Sequence, residues 1–160
     1  MQKFIEIENH IKSLGFKIVS KDFNRPWGGF LVIDNTQILN FINTFFSEID
    51  NKVISDSLEL SPKILIVKPN CRLSWQYHFR RSEIWKIYEG KVSIVRSKTD
   101  KESINEIFHQ GETITLEQGE RHRLIGLDNY GIVAEIWLHT DPNNPSDEQD
   151  IVRVQDDFGR

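Results

Sequence analysis

Leu73-Ser-Trp-Gln-Tyr-His-Phe-Arg-Arg-Ser-Glu-Ile-Trp85 is the stretch that decides the fold of this 160-residue sequence. Gln76 and His78 stand two apart in a run of strand-like composition, so both side chains point to one face. After a turn of four residues comes Glu83, with Trp85 and Ile87 facing the same way and Gly90 supplying a tight hairpin. Downstream, Gly111 opens another strand that turns at Glu117-Gln-Gly119 and delivers His122. Two imidazoles, a carboxylate and an amide oxygen from three strands can converge inside a barrel. That donor set suits zinc, iron, manganese or nickel and leaves room for water or substrate, so the metal stays open. His10, His109 and His139 fall outside the pattern and read as surface or hydrogen-bonded residues.

Outward from this block the text is rich in short β runs. Lys63–Val67, Leu73–Phe79, Ile84–Tyr88, Lys91–Ser97, Thr113–Leu116, His122–Ile125 and Ile132–His139 are separated by Pro69, Gly90, Gly111, Gly119, Gly126 and Gly131. Many short strands at regular turn signals predict a mainly β sandwich or barrel. The first 60 residues differ. Phe4, Ile7, Ile11 and Leu14 recur at helical spacing over 3–14, with Gly15 as a stop. Ile38, Phe41, Ile42, Phe45 and Phe46 form the apolar face of a second helix over 36–49, with Thr36 as its cap. Between them Phe30–Asp34 reads as a strand after the turn-like Arg25-Pro-Trp-Gly-Gly29. The expected organisation is one domain: a helical N-terminal extension (1–60), a metal-binding barrel (61–140) and a patterned C-terminal segment (141–160).

Composition narrows the partners. The formal net charge is −4, which gives no basic surface for nucleic acid. The single cysteine, Cys71, excludes an internal disulfide and fits a reducing compartment. No apolar run approaches the ~20 residues that cross a membrane. Acidic Glu6 and Glu8 interrupt any signal-peptide core, so the cytoplasm is the expected location.

Asn70-x5-Gln76-x-His78-x4-Glu83-x6-Gly90, followed by Gly111-x7-Gly119-x2-His122, resembles the two-part cupin signature. Gln76 stands for the usual first His, Asn70 for the first Gly and Glu117 for the customary Pro. More narrowly, the chain resembles the C-terminal domain of the type II phosphomannose isomerase/GDP-mannose pyrophosphorylase family. The matching text is Arg25-Pro-Trp-Gly28, Lys63, Val67-Lys-Pro69, Leu73-Ser74, Gln76-x-His78, Arg81-x-Glu83-x-Trp85, Gly90, His122-Arg-Leu124, Glu135, and Asp150-Ile-Val-Arg153 with Asp156-x-Phe-Gly-Arg160. It departs at Trp137, where the family usually has Gln, and at Phe158, where it has Tyr. No preceding nucleotidyltransferase domain is present, so the resemblance implies no pyrophosphorylase activity.

The resemblance implies a double-stranded β-helix (jelly-roll) barrel and a metal-dependent aldose–ketose isomerase, interconverting mannose 6-phosphate and fructose 6-phosphate. Gln76, His78, Glu83 and His122 are the expected ligands of one divalent metal, zinc foremost, with iron, manganese, nickel or cobalt as alternatives. Isomerisation needs a base within reach of a carbon-bound proton and stabilisation of an oxyanion. Lys63 and Glu135 are the catalytic candidates. A sugar phosphate needs cationic clamps, for which Arg25, Arg81, Arg153 and Arg160 are the candidates. With few apolar residues to anchor a core, Asp150–Arg160 is expected to pack beside the barrel mouth and bind phosphate rather than stabilise the fold. Arg81 has a second reading as a partner that orients Glu83. A non-catalytic sugar- or metal-binding module and an isomerase or epimerase for another sugar phosphate, such as a heptose phosphate, are the alternatives. Pairing through a sheet edge would make a homodimer.

Overall fold

The computed structural model describes residues 1–49 and 59–159. The end of the expected N-terminal extension, 50–58, and the candidate clamp Arg160 therefore lie outside the described residues. Among the described residues, two helices, α1 (Gln2–Ser13) and α2 (Ile38–Phe45), accompany eleven strands. These are β1 (Ile18–Arg25), β2 (Gly28–Ile33), β3 (Leu60–Val67), β4 (Trp75–Tyr77), β5 (Arg81–Glu89), β6 (Lys91–Ser97), β7 (Glu106–His109), β8 (Thr113–Leu116), β9 (Arg121–Gly126), β10 (Gly131–His139) and β11 (Val152–Gln155). They form a six-stranded sheet of order β1-β2-β3-β10-β5-β8 and a five-stranded sheet of order β11-β4-β9-β6-β7, and every pairing within each is antiparallel.

Period-2 alternation in the six-stranded sheet splits the apolar residues into two cores. On β3, Ile64 and Ile66 pack toward the helices, whereas Leu65 and Val67 point into the space between the sheets. On β10, Ile132, Ala134 and Ile136 take the helix side and Val133 the interior. The outer core is closed by Phe4, Ile7 and Ile11 of α1 and Phe41, Ile42 and Phe45 of α2. Burying each such side chain stabilises the fold by about 1.5–3 kcal/mol, so the extension is an integral layer over the sheet. Lys63, Glu135, Glu83 and Trp85 project into the inner space, where an apolar floor of Leu65, Val133 and Ile87 supports them.

Some boundaries differ from the sequence expectation. Asp34, rather than Thr36, caps the second helical stretch: its side chain accepts from Thr36 N–H, and a 3-10 turn over Asn35–Gln37 precedes α2. The helix ends at Phe45, with Phe46 already out of helical geometry but buried in the outer core. Leu14 lies past the end of α1 and is partly exposed, while Gly15 adopts φ +89° and stops the helix as expected. Gly28 has a steric reason to be glycine, since an added Cβ would lie 1.9 Å from the Ile66 carbonyl oxygen. The turn of Pro26 and Trp27 can thereby press β2 onto β3 and drop the Trp27 indole into the inner core.

Candidate metal centre and adjoining cavity

Three elements bring the proposed ligands together. Gln76 on β4 pairs directly with His122 on β9, so both leave the five-stranded sheet side by side. His78 follows just after β4 ends, and Glu83 enters from β5 in the opposite sheet. One ligating atom from each of His78, Glu83 and His122 lies within 4.8 Å of the others, and all three residues are buried. Glu83 Oε1 is 3.3 Å from His78 Nε2, and Glu83 Oε2 is 3.5 Å from His122 Nε2.

The far side of each imidazole fixes its tautomer. His78 Nδ1 donates to the Asp150 carbonyl at 2.6 Å, and His122 Nδ1 donates to the Glu120 carbonyl at 2.9 Å. A carbonyl can only accept, so the proton sits on Nδ1 and the Nε2 lone pairs face the cluster. Burial pushes the His78 imidazole down to about 3, which keeps it neutral at ordinary pH. Burial alone would raise Glu83, but the adjacent Arg81 guanidinium and the two imidazoles together outweigh it and hold the carboxyl well below its usual range. A neutral His78 beside an ionised carboxylate is the protonation pattern a divalent cation requires.

Two atoms test the fit further. His122 Nε2 and Glu83 Oε2 are wholly buried and lack a hydrogen-bond partner among the described residues. Such orphaned acceptors normally destabilise a fold by about 1–3 kcal/mol each, and a cation bound between them would satisfy both. Gln76 is buried nearby, with one lone pair of its amide oxygen taken by the Ser74 hydroxyl at 2.5 Å. The donor set fits a divalent metal.

A cavity of about 200 Å³ adjoins the cluster. Gln76 and Arg81 reach its wall from the metal side, joined by Lys63, Glu135, Arg25 and Arg153. The two candidate catalytic residues are cross-strand neighbours, since Glu135 on β10 pairs with Lys63 on β3 and with Trp85 on β5. The Trp85 indole N–H donates to Glu135 Oε1 at 2.9 Å. Burial, with the Glu83 charge acting in the same direction, pushes the Glu135 carboxyl up to about 8. Lys63 faces the interior rather than solvent. Its ammonium lies 4.4 Å from the Phe30 ring centroid and 4.1 Å from that of Trp137, and it is ion-paired with Glu148.

The arginines divide by setting. Arg25 stands on the cavity wall and pairs with Asp22 at 2.9 Å. Arg81 is buried, donates to Glu83 Oε1 at 2.7 Å and to His78 Nε2 at 3.0 Å, and stacks 3.6 Å from the Trp137 ring centroid. Its orienting contact with Glu83 is present together with a place on the cavity wall. Arg153 sits on β11 directly opposite Gln76 and lines the cavity.

Sequence reasoning assigned no role to Ser146 and Glu148 and none at the metal ligands to Asp150, yet the three hold the site's open end. The Asp150 carboxylate accepts from the Phe79 and Arg80 backbone N–H groups at 3.0 Å each and from the Ser146 hydroxyl at 2.6 Å. His139 ties the same loop down, accepting from Ser146 N–H at Nδ1 and donating to the Ser61 hydroxyl at Nε2. Asp150 stood in the quoted closing motif, but its partners at residues 78–80 lie some 70 residues away and left no local signal.

The comparisons with known proteins agree with this architecture. Vicilin from Corylus avellana (hazelnut) superposes on 86% of the chain, and on 33% of its own, with a TM-score of 0.56 at 16% identity. A Cupin 2 conserved barrel domain protein from Salinispora arenicola CNS-205 matches 49% of the chain and 61% of its own with a TM-score of 0.43 at 22% identity. A recombinant oxalate oxidase in complex with glycolate matches 59% of this chain and 46% of its own, with a TM-score of 0.49 at 18% identity. The chain thus spans about half the length, or less, of the oxalate oxidase and vicilin structures, and the vicilin likeness, at 16% identity, speaks for the fold alone. No curated protein matches the sequence. A family model does, over residues 47–156, which take in β3 to β11 and every candidate ligand. With its barrel, its buried His-Glu-His cluster and this match over more than half its length, the chain belongs to the mannose-6-phosphate isomerase C-terminal family of cupins.

Proposed function

We propose that this protein is a metal-dependent sugar-phosphate isomerase that interconverts mannose 6-phosphate and fructose 6-phosphate. The observation that carries this reading is the juxtaposition of Lys63 and Glu135 in one cavity with three arginines, beside the His78–Glu83–His122 cluster. When bound on Gln76, His78, Glu83 and His122, a divalent metal polarises a carbonyl and stabilises negative charge on oxygen.

The chain's own groups account for the proton transfers. Conversion of aldose to ketose removes the proton on C2, places one on C1, and moves a hydroxyl proton from O2 to O1. Glu135 is the base: a carboxylate with raised pKa accepts a carbon-bound proton more readily and can return it to C1. The Trp85 indole holds its Oε1 in place, leaving Oε2 for the proton. Lys63, one residue pair across the sheet from Glu135, is the buried cation that, with the arginines, receives the ligand's negative charge. Arg25 and Arg153 receive the phosphate.

Incubation with mannose 6-phosphate in deuterated water tests the reading. Fructose 6-phosphate carrying deuterium at C1 is expected; no product and no exchange over a panel of hexose and heptose phosphates would exclude it. One observation favours a second reading, a sugar-phosphate-binding module: the cavity is lined by Gln76 and Arg81 but not by the three clustered ligands behind them. Phosphosugar binding without exchange, on protein with stoichiometric metal, would establish that alternative.

A further inference from the structure

We propose that Glu148 is a specificity-determining residue, an internal carboxylate that occupies the cavity's anion position and that only a phosphate-bearing ligand displaces. The inference deepens the sugar-phosphate reading and rests on it.

The asymmetry of the Lys63–Glu148 pair is the starting point. The Lys63 side chain is 5% exposed and comes from the rigid centre of the six-stranded sheet, held between the Phe30 and Trp137 rings. The Glu148 side chain is 51% exposed and comes from the loop joining β10 to β11. The lysine is thus part of the scaffold, and the carboxylate reaches it from the cavity's edge. Glu148 also lines the cavity, so a ligand and this carboxylate compete for the same ammonium.

Neighbouring contacts leave Glu148 as the element that can give way. The loop on either side is anchored without it: Ser146 is pinned by His139 and Asp150, and Asp150 by the Phe79 and Arg80 backbone. No other hydrogen bond to the Glu148 side chain is recorded among the described residues. Rotating that side chain outward into water releases Lys63 and moves no anchored backbone.

Selectivity follows from charge. A neutral sugar gains nothing by removing a carboxylate from an ammonium, because the buried lysine would lose its counter-ion. A sugar carboxylate merely exchanges like for like. A phosphate monoester carries up to two negative charges and three acceptor oxygens, so it replaces the carboxylate and also engages Arg25 or Arg153. Glu148 therefore weakens every ligand for the Lys63 position and leaves phosphate as the one that overcomes the penalty.

Binding of inorganic phosphate, of acetate and of D-mannose, followed by tryptophan fluorescence, compares the wild type with Glu148→Gln. Glu148→Gln is expected to bind phosphate roughly three- to tenfold more tightly and to gain affinity for acetate, with mannose unchanged. The double variant with Lys63→Met should lose the gain. Unchanged or weaker phosphate binding in Glu148→Gln, or an equal gain for mannose, would overturn the proposal. Should that variant fold poorly, the carboxyl carbon-13 resonance of Glu148 in the wild type provides a second readout. It should move to the position of a solvated glutamate on saturation with phosphate, and a resonance that stays put would equally refute displacement. Failure of isomerase activity with the binding pattern intact would instead count against catalysis alone.

Discussion

The carbonyl oxygen of Asp150 accepts a 2.6 Å hydrogen bond from Nδ1 of His78, joining the C-terminal segment to a candidate metal ligand across 72 residues of sequence. The same residue's carboxylate gathers Phe79 N–H, Arg80 N–H and the Ser146 hydroxyl. One aspartate therefore sets the tautomer of the histidine and fixes the turn that follows it. Asp150→Ala should lower folding stability by about 2–4 kcal/mol, because buried donors lose a charged acceptor. It should also weaken metal binding, though less than deletion of a ligand does, because the carbonyl that holds His78 Nδ1 remains while the carboxylate contacts that position it are lost. Urea denaturation of the chelated protein and competition against a chromophoric chelator measure the two effects separately. Wild-type metal affinity in a destabilised variant would assign Asp150 to the fold alone.

Direct removal of a ligand is the sharper case. His78→Ala and His122→Ala should each abolish stoichiometric metal, read by elemental analysis, together with isomerase activity. Addition of metal should raise the melting temperature of the wild type, since a ligand that binds only the native state stabilises it by mass action. Neither variant should show that rise. Full metal occupancy in both would sink the assignment.

Much of this was legible in the sequence because the barrel's central strands carry strong alternation. Lys91–Ser97 and Thr113–Leu116 match β6 and β8. The edges were not legible. β1, Ile18–Arg25, is mostly exposed and polar, and it is a strand because β2 pairs with it. β7, Glu106–His109, likewise owes its conformation to β6. Lys63 was visible as a candidate through the resemblance, and Glu135 also as an acid within the apolar run Ile132–Leu138. Their proximity depends on the β3–β10 register, which no local window encodes. The cap on Lys63 was equally hidden, for Glu148 comes from a loop whose composition reads as solvent-exposed.

Buried Glu135 gives the fold a pH signature. Its carboxyl is pushed up to about 8 from an ordinary value of 4.5, chiefly by burial. The folded state then holds this proton more tightly than the unfolded chain. Its contribution to stability is fully present below about pH 4.5, declines as pH rises and is gone above about 8. Glu135→Gln, which stays neutral, should flatten the stability curve between pH 5 and 8 by a few kcal/mol while abolishing turnover. Urea titrations of the chelated proteins at both pH values check this. A wild-type slope retained in the variant would show that another group carries the dependence.

The C-terminal segment separates two roles that the sequence had joined. The expectation was that Asp150–Arg160 contributes to phosphate binding rather than to the fold, since it holds few apolar residues. The structure corrects the second half of that expectation. Residues Val152, Arg153 and Gln155 pair with Tyr77, Gln76 and Trp75 of β4, making β11 the edge of the five-stranded sheet. The Gln155 carbonyl accepts from Arg123, a side chain only 1% exposed, and Asp157 accepts two bonds from Arg72 at 2.6 and 2.8 Å. Truncation after Asp150 should therefore cost a few kcal/mol of stability, because it strips partners from a buried guanidinium. Arg153→Ala keeps the backbone pairing of β11 and removes only the side chain that lines the cavity. A charge-assisted contact to phosphate contributes about 1.5–3 kcal/mol, so this variant should bind mannose 6-phosphate roughly 10- to 150-fold more weakly. Its melting temperature, metal content and affinity for mannose should stay near those of the wild type. Calorimetric titration of both sugars decides the matter: equal losses for mannose and mannose 6-phosphate, or none for either, would show that Arg153 does not hold the phosphate.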